Sequence, residues 1–139
     1  MVKSAIITAA GSGRRFGEAK QFKKLHGKPL YQYSLDTFIK SRLFDEIILV
    51  IPNSKQEKVQ KEIKRKYSSQ VSLVIGGSDR QDSVKNAIQN SNPNIDLVVI
   101  HDAARPFITT TLIERCIFAC ETSDGAIIAM QPHDTIKFS

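Results

Sequence analysis

Five short runs in this chain are apolar with almost no interruption: Ala5–Thr8, Ile47–Ile51, Val71–Ile75, Leu97–Ile100 and Ala126–Met130. A strand buried on one face alternates polar and apolar residues, whereas continuous hydrophobicity needs cover on both faces, as in a parallel sheet flanked by helices. The segments between the runs supply those helices. One is expected from about Pro29 to Lys40, with proline favourable near the first turn. Ser54-x-x-Glu57, Ser78-x-x-Gln81 and Thr111-x-x-Glu114 have the capping-box pattern and are expected to open three more. Val59, Ile63 and Tyr67 would face inward from the first of these, Val84, Ala87 and Ile88 from the second, and Ile113, Cys116, Ile117 and Cys120 from the third. The repeated order of strand, loop and helix predicts an α/β fold, a three-layer α/β/α sandwich with a mainly parallel sheet and right-handed crossovers.

In such sheets ligands bind beyond the carboxyl ends of the strands, near a topological switch point. The loops expected there are Gly11–Lys20, Gly76-Gly77-Ser78, His101–Pro106 and Gln131–Thr135. The first carries the most chemistry. The strand ending in Thr8 runs into Ala9-Ala10-Gly11-Ser12-Gly13-Arg14-Arg15-Phe16-Gly17-Glu18-Ala19-Lys20-Gln21. Small residues let backbone N–H groups approach an anion, and Arg and Lys supply the charge to hold a phosphate. Two familiar phosphate loops are excluded. A dinucleotide fingerprint would need Gly or Ala where Phe16 stands and an acidic residue about 20 positions on, where the second strand instead ends in Pro52-Asn53. A Walker A loop would need Gly-Lys-Ser/Thr where Phe16-Gly17-Glu18 stands. Spacing alone leaves two readings open, a phosphate cradle and a tight strand-to-helix turn with solvated arginines.

The 139 residues fit a single domain spanning 1–139. A hydrophobic content of 41% with 24% charged residues is that of an ordinary globular protein and gives no sign of disorder. No apolar run approaches the ~20 residues that cross a bilayer, and the N-terminus lacks a signal region, so a cytoplasmic location without membrane association is expected. The net charge of +6 raises the question of nucleic acid. Much of it, however, lies on Lys55, Lys58, Lys61, Lys64, Arg65 and Lys66, the solvated side of one helix, whose only aromatic is Tyr67. A polynucleotide site therefore rests on charge alone. Cys116 and Cys120, four apart on a helix, would hold their Cβ atoms about 5–6 Å apart, too far for a disulfide. Three scattered histidines, His26, His101 and His133, make no metal cluster with them.

Four ordered motifs together resemble a particular family, the 2-C-methyl-D-erythritol 4-phosphate cytidylyltransferases of isoprenoid synthesis, with the ribitol-5-phosphate cytidylyltransferases as close relatives. They are Ala9–Gly17 followed by Lys20-Gln21, Gly76-Gly77-Ser78-Asp79-Arg80-Gln81-Asp82-Ser83-Val84, His101-Asp102-Ala103-Ala104-Arg105-Pro106, and Asp134-Thr135-Ile136-Lys137. The resemblance implies a Rossmann-like nucleotidyltransferase fold, CTP and a sugar-alcohol phosphate as substrates, Mg²⁺ and a homodimer. It also implies that Arg15 and Lys20 are catalytic, contacting the CTP phosphates. Ala9, Ala10, Gly11, Ser12 and Gly13 would bind the nucleotide with Gly77, Ser78 and Ser83, the last three reading cytosine and ribose. Asp102, Arg105 and Thr135 would meet the acceptor, with Asp102 also holding the metal. Each has a plainer reading: a surface ion pair for Arg15 and Lys20, a turn glycine and an early-helix serine for Gly77 and Ser83, a mutual contact for Asp102 and Arg105, a turn cap for Thr135. His101 is expected to pack or hydrogen-bond instead of ligating metal.

Two departures from the family pattern stand out. Ala19 replaces the usual proline before Lys-Gln, which would leave the lysine loop less restrained. Family chains also continue beyond Ser139 into a segment that forms a dimer arm, completes the sheet and supplies basic residues for the acceptor. Thr135–Phe138 alternates like the opening of a strand. A chain truncated at its C-terminus is therefore expected, with the nucleotide half largely present. A CTP-binding remnant without turnover is the rival to an intact enzyme.

Overall fold

Four of the five apolar runs pair side by side as parallel strands. The computed structural model describes residues 1–11 and 19–130. In chain order its elements are β1 (Lys3–Thr8), a small antiparallel ribbon of β2 (Lys24–Leu25) and β3 (Lys28–Pro29), α1 (Leu30–Ser41), β4 (Glu46–Ile51), α2 (Gln56–Tyr67), β5 (Ser72–Ile75), α3 (Arg80–Gln89), β6 (Leu97–Asp102) and α4 (Thr110–Ala119). Two compact units divide the chain, Met1–Ile108 and Thr109–Ser139.

In the first unit the sheet order is β5-β4-β1-β6, with every pairing parallel. Register assigns the faces. Ile6 lies opposite Ile48, and Ile7 lies opposite Leu49 and His101. Because successive side chains point to opposite faces, Ile6, Ile48 and Val50 share one side, where Ala87 of α3 packs against them. Ile7 and His101 share the other, and there Phe38 of α1 meets the His101 ring at 5.4 Å between centroids. Tyr31, Leu35 and Phe38, all fully buried, recur at helical spacing along α1. Alongside it, α2 buries Val59, Ile63 and Tyr67, the face expected from the sequence. The Tyr31 hydroxyl donates to Glu62 at 2.5 Å and the Tyr67 hydroxyl to Asp36 at 2.6 Å, joining the two helices. Helices on both faces of a parallel sheet make the predicted three layers.

The chain starts at β1, moves outward through β4 to β5, then returns to lay β6 on the opposite side of β1. The strand order therefore reverses between β1 and β6, and a crevice opens beyond their carboxyl ends.

Several local expectations shift. α3 buries Ser83 and Ala87, while Ile88 is 48% exposed. The buried face is set by polar anchors: Ser83 binds the Gly77 loop, and Asn86 Nδ2 donates to the Ile75 carbonyl at 3.2 Å. The caps fall elsewhere too. Asp79, with an extended backbone, accepts from the Asp82 N–H at 2.8 Å, so Asp79 and not Ser78 caps α3. Thr109 likewise caps α4 by accepting from the Leu112 N–H at 3.3 Å. An N-cap needs extended φ and ψ, which Asp79 and Thr109 have. Ser54 instead lies inside a 3₁₀ turn, Asn53–Lys55, that leads into α2 without a side-chain cap.

In the second unit Ile113 is buried on α4, Cys116, Ile117 and Cys120 are half-buried, and both cysteines are free thiols. Ala126–Met130, expected as a strand, is irregular, with Ile127 and Met130 largely exposed. A strand exists only through its ladder, and no strand of the described residues pairs with this run. The expected strand opening at Thr135–Phe138 lies outside the described residues.

Candidate functional site

Three backbone loops meet in the crevice, each fastened to the sheet by hydrogen bonds that its sequence makes possible. Beyond β1 the Ala9 N–H donates to the Val50 carbonyl at 2.7 Å, continuing the ladder one residue past Thr8. Ala10 and Gly11 follow. Gln21, from a 3₁₀ turn at Lys20–Phe22, sends its side-chain amide to the carbonyls of Ala9 and Gly11, both at 2.7 Å.

The second loop follows β5. The Gly76 N–H donates to the Ile51 carbonyl at 2.9 Å, and the Gly77 N–H to the Ser83 hydroxyl at 3.1 Å. Ser83, buried, donates that hydroxyl's proton to the Asp79 carbonyl at 2.7 Å. A Cβ on Gly76 would collide with the Ala10 Cβ and come within 2.8 Å of Ser83 Oγ, and one on Gly77 would collide with Asp82. The β1 and β5 loops thus approach as closely as glycine permits. The need is for space and not for unusual φ.

The third loop follows β6. The Ala103 N–H donates to the Thr8 carbonyl at 3.0 Å, tying the turn to β1. Asp102 Oδ1 accepts from the Ala104 N–H at 2.9 Å, which orients the carboxylate. Beneath it, His101 Nε2 lies 3.0 Å from the Arg105 carbonyl oxygen. A carbonyl only accepts, so that contact assigns the imidazole proton to Nε2. Burial lowers the pKa of His101, consistent with a neutral ring engaged in packing and hydrogen bonding.

Between these loops lies a cavity of about 550 Å³, a size ordinary for small-molecule sites. Thr8, Ala10, Gly11 and Gln21 line it from the β1 side, Gly77 to Arg80 and Ser83 from the β5 side, and Asp102 from β6. Arg80 reaches over to donate from Nη1 to the Thr8 hydroxyl at 3.2 Å. Glycine-rich backbone, a guanidinium and a carboxylate on one wall each suit a polyanion carried with a cation.

The family model for 2-C-methyl-D-erythritol 4-phosphate cytidylyltransferase matches residues 3–139. The chain belongs to that family. It is 42% identical over 137 residues to the Clostridium acetobutylicum 2-C-methyl-D-erythritol 4-phosphate cytidylyltransferase, covering 96% of this chain and 59% of the relative. The Clostridium beijerinckii protein of the same name is 39% identical over 137 residues, covering 96% and 60%. Among solved structures, 4-diphosphocytidyl-2C-methyl-D-erythritol synthase from Anaerococcus prevotii superposes with a TM-score of 0.76 at 34% identity, covering 87% of this chain and 52% of that one. The chain thus spans about 60% of the length of the curated relatives it matches.

For this member of the cytidylyltransferase family, the fold brings together six of the residues singled out in the sequence: Ala10, Gly11, Gly77, Ser78, Ser83 and Asp102. Ala9 is buried behind the cavity wall and acts through its backbone. Lys20 stands exposed on the turn beside Gln21. Arg105 is also exposed, its Nε 3.9 Å from Asp102 Oδ2, the mutual contact anticipated as the plainer reading. Ser12, Gly13, Arg15 and Thr135 lie outside the described residues.

Four lining residues were not singled out as site residues: Thr8, Gln21, Asp79 and Arg80. Thr8 had a signal, being polar at the end of an apolar strand. Asp79 and Arg80 sat inside a quoted motif, and Gln21 directly follows Lys20. No helix of the described residues is long and apolar enough to cross a membrane, and no group of three or more His, Cys, Asp or Glu among them could hold a metal.

Proposed function

We propose that the protein is a cytidylyltransferase that moves CMP from CTP to 2-C-methyl-D-erythritol 4-phosphate, releasing pyrophosphate and forming 4-diphosphocytidyl-2-C-methyl-D-erythritol. The observation that carries this reading is the convergence of the Ala10-Gly11, Gly77–Ser83 and Asp102 loops on one cavity at the switch point of the sheet. A phosphate oxygen of the acceptor forms a bond to the α-phosphorus of CTP while the bond from that phosphorus to the β-phosphate oxygen breaks. Pyrophosphate carries the electron pair away. Both reactants are anions, so charge neutralisation and in-line placement are most of the task, and no protein nucleophile is needed.

In this reading the backbone of Ala9 to Gly13 cradles the triphosphate, with Arg15 and Lys20 neutralising charge and Arg80 adding a third cation. Gly77, Ser78 and Ser83 face the cytidine. The Ser83 proton is committed to the Asp79 carbonyl, so its hydroxyl acts on the base chiefly by holding Gly77. Mg²⁺ prefers one or two carboxylates together with substrate phosphates. Asp102, a hard oxygen donor on the cavity wall, suits that requirement, and the ion would supply charge stabilisation there. Arg105 and Thr135 would meet the acceptor phosphate. A homodimer in the cytoplasm, without nucleic-acid or membrane partners, completes the proposal.

Pyrophosphate release with CTP, Mg²⁺ and methylerythritol phosphate, set against ribitol 5-phosphate, tests it. Release with methylerythritol phosphate is expected. Release only with ribitol phosphate would reassign the acceptor, and CTP binding by calorimetry without release under either condition would assign nucleotide binding alone.

A further inference from the structure

We infer that Gln21 is a positioning residue of the nucleotide site, its carboxamide pinning the Ala9 and Gly11 carbonyls so that the Ala9–Gly11 backbone holds its course and the Lys20 turn stays docked against it. The inference rests on the nucleotide reading of the cavity. Gln21 is only 6% exposed, although it sits on a three-residue turn between exposed Lys20 and half-buried Phe22. Its NH₂ has two protons, and the Ala9 and Gly11 carbonyl oxygens each lie 2.7 Å from Nε2. Both partners are distant in sequence and flank a single residue, Ala10.

The arrangement matters because of what a phosphate would meet. A phosphate would lie against the Ala10-Gly11 backbone, and a donor bound to the carbonyl on either side of Ala10 holds that backbone in one course. Gln21 supplies both donors from one rigid, planar group. Its near-isosteres do not do this: ionised Glu has no proton to donate, Met fills the space without donors, and Asn is one methylene too short to reach both carbonyls. Because the same residue lies next to Lys20 in the chain, the two bonds also fix where the Lys20 backbone stands relative to Gly11.

The test uses the full chain with Gln21→Met and Gln21→Glu, CTP titrated by calorimetry with Mg²⁺ present, and backbone amide exchange at Ala10 and Gly11 followed by NMR. Two bonds are lost in the Met variant, so CTP affinity should fall about tenfold or more. Amide exchange should quicken at Ala10 and Gly11, and the affinity loss should persist well below the variant's melting temperature, where the protein is fully folded. The Glu variant should bind more weakly still, since it places a carboxylate beside the carbonyls. A purely structural glutamine would lower the melting temperature and leave the affinity of the folded protein alone. Wild-type affinity and exchange in both variants overturns the assignment to Gln21 while the nucleotide reading stands. Failure of the wild-type protein to bind CTP overturns the nucleotide reading and this role together.

Discussion

Ser34 Oγ and His101 Nε2 stand 3.2 Å apart and converge on the Arg105 carbonyl oxygen, at 3.3 Å and 3.0 Å respectively. Through this junction α1, on one face of the sheet, supports the loop that carries Asp102. Ser34 is fully buried, so its hydroxyl has no water to replace a lost partner. Ser34→Ala should cost about 1 kcal/mol of stability. His101→Ala also empties space against Phe38 and should cost about 2 kcal/mol or more. Urea unfolding at neutral pH measures both, and equal costs would mean that the ring contributes no packing.

Arg80 offers the cavity a cation from the first turn of α3, held by the Thr8 hydroxyl. Removing it leaves no charged group buried, because the side chain is largely exposed. Arg80→Ala should therefore weaken CTP binding by about tenfold with little change in melting temperature, and the loss should shrink as salt is raised. Thr8→Val, which removes the tether but keeps the guanidinium, should produce a smaller loss. Calorimetry at two ionic strengths separates the two effects.

What the sequence made legible follows from how local each signal is. β1 and β4 were visible because burial on both faces forces continuous hydrophobicity, β6 because Leu97–Ile100 is apolar throughout although Ile100 is 45% exposed, and α2 because its lysines leave only Val59, Ile63 and Tyr67 for the core. Gly11, Gly77 and Asp102 were found through motifs at strand ends. Ala126–Met130 misled because apolar composition cannot report whether a neighbouring strand exists to pair with it. On α3 Ala87 packs inward as expected and only Ile88 misled, because the hydrogen bonds at Ser83 and Asn86 that turn the helix are not registered by hydrophobic periodicity. Gln21 was hidden for the same reason: its meaning lies in two bonds to carbonyls ten and twelve residues away.

Between α1 and α2, Asp36 gathers Lys28 at 2.5 Å, the Tyr67 hydroxyl at 2.6 Å and Lys66 at 3.2 Å. Burial alone would raise this carboxyl, but the hydrogen bonds from Lys28, Tyr67 and Lys66 outweigh it and hold the pKa below the usual carboxylate range. A depressed folded-state pKa contributes stability that is complete above the unfolded value of about 3.9 and is lost as pH falls through the folded one. Asp36→Asn should cost about 1–2 kcal/mol at pH 7, discounted for partial exposure. The difference between wild type and variant should narrow below about pH 4. Tyr67 has the opposite sign. Burial, then the Asp36 hydrogen bond and charge, raises its pKa, so its contribution is complete below the unfolded value of about 10 and declines at more alkaline pH. Denaturant unfolding from pH 3 to 11 reads both limbs, and a difference that stays constant below pH 4 would remove Asp36 from the account.

Gly76 and Gly11 separate folding from binding within one site. A methyl group on Gly76 would strike Ala10 and Ser83, which are backed by the sheet and by the Asp79 hydrogen bond and so have little room to yield. Gly76→Ala should destabilise by about 1–3 kcal/mol, as overpacking does, and should weaken CTP binding because it wedges the two cavity walls apart. Among the described residues nothing lies within 4 Å of a Cβ added to Gly11, which lines the cavity. Gly11→Ala should therefore unfold within about 0.5 kcal/mol of wild type. Its CTP affinity should nonetheless fall, since the new methyl group would occupy space through which a phosphate approaches the backbone. Paired unfolding curves and CTP titrations decide the matter. A Gly11→Ala protein that binds CTP as tightly as wild type would place the triphosphate away from Gly11.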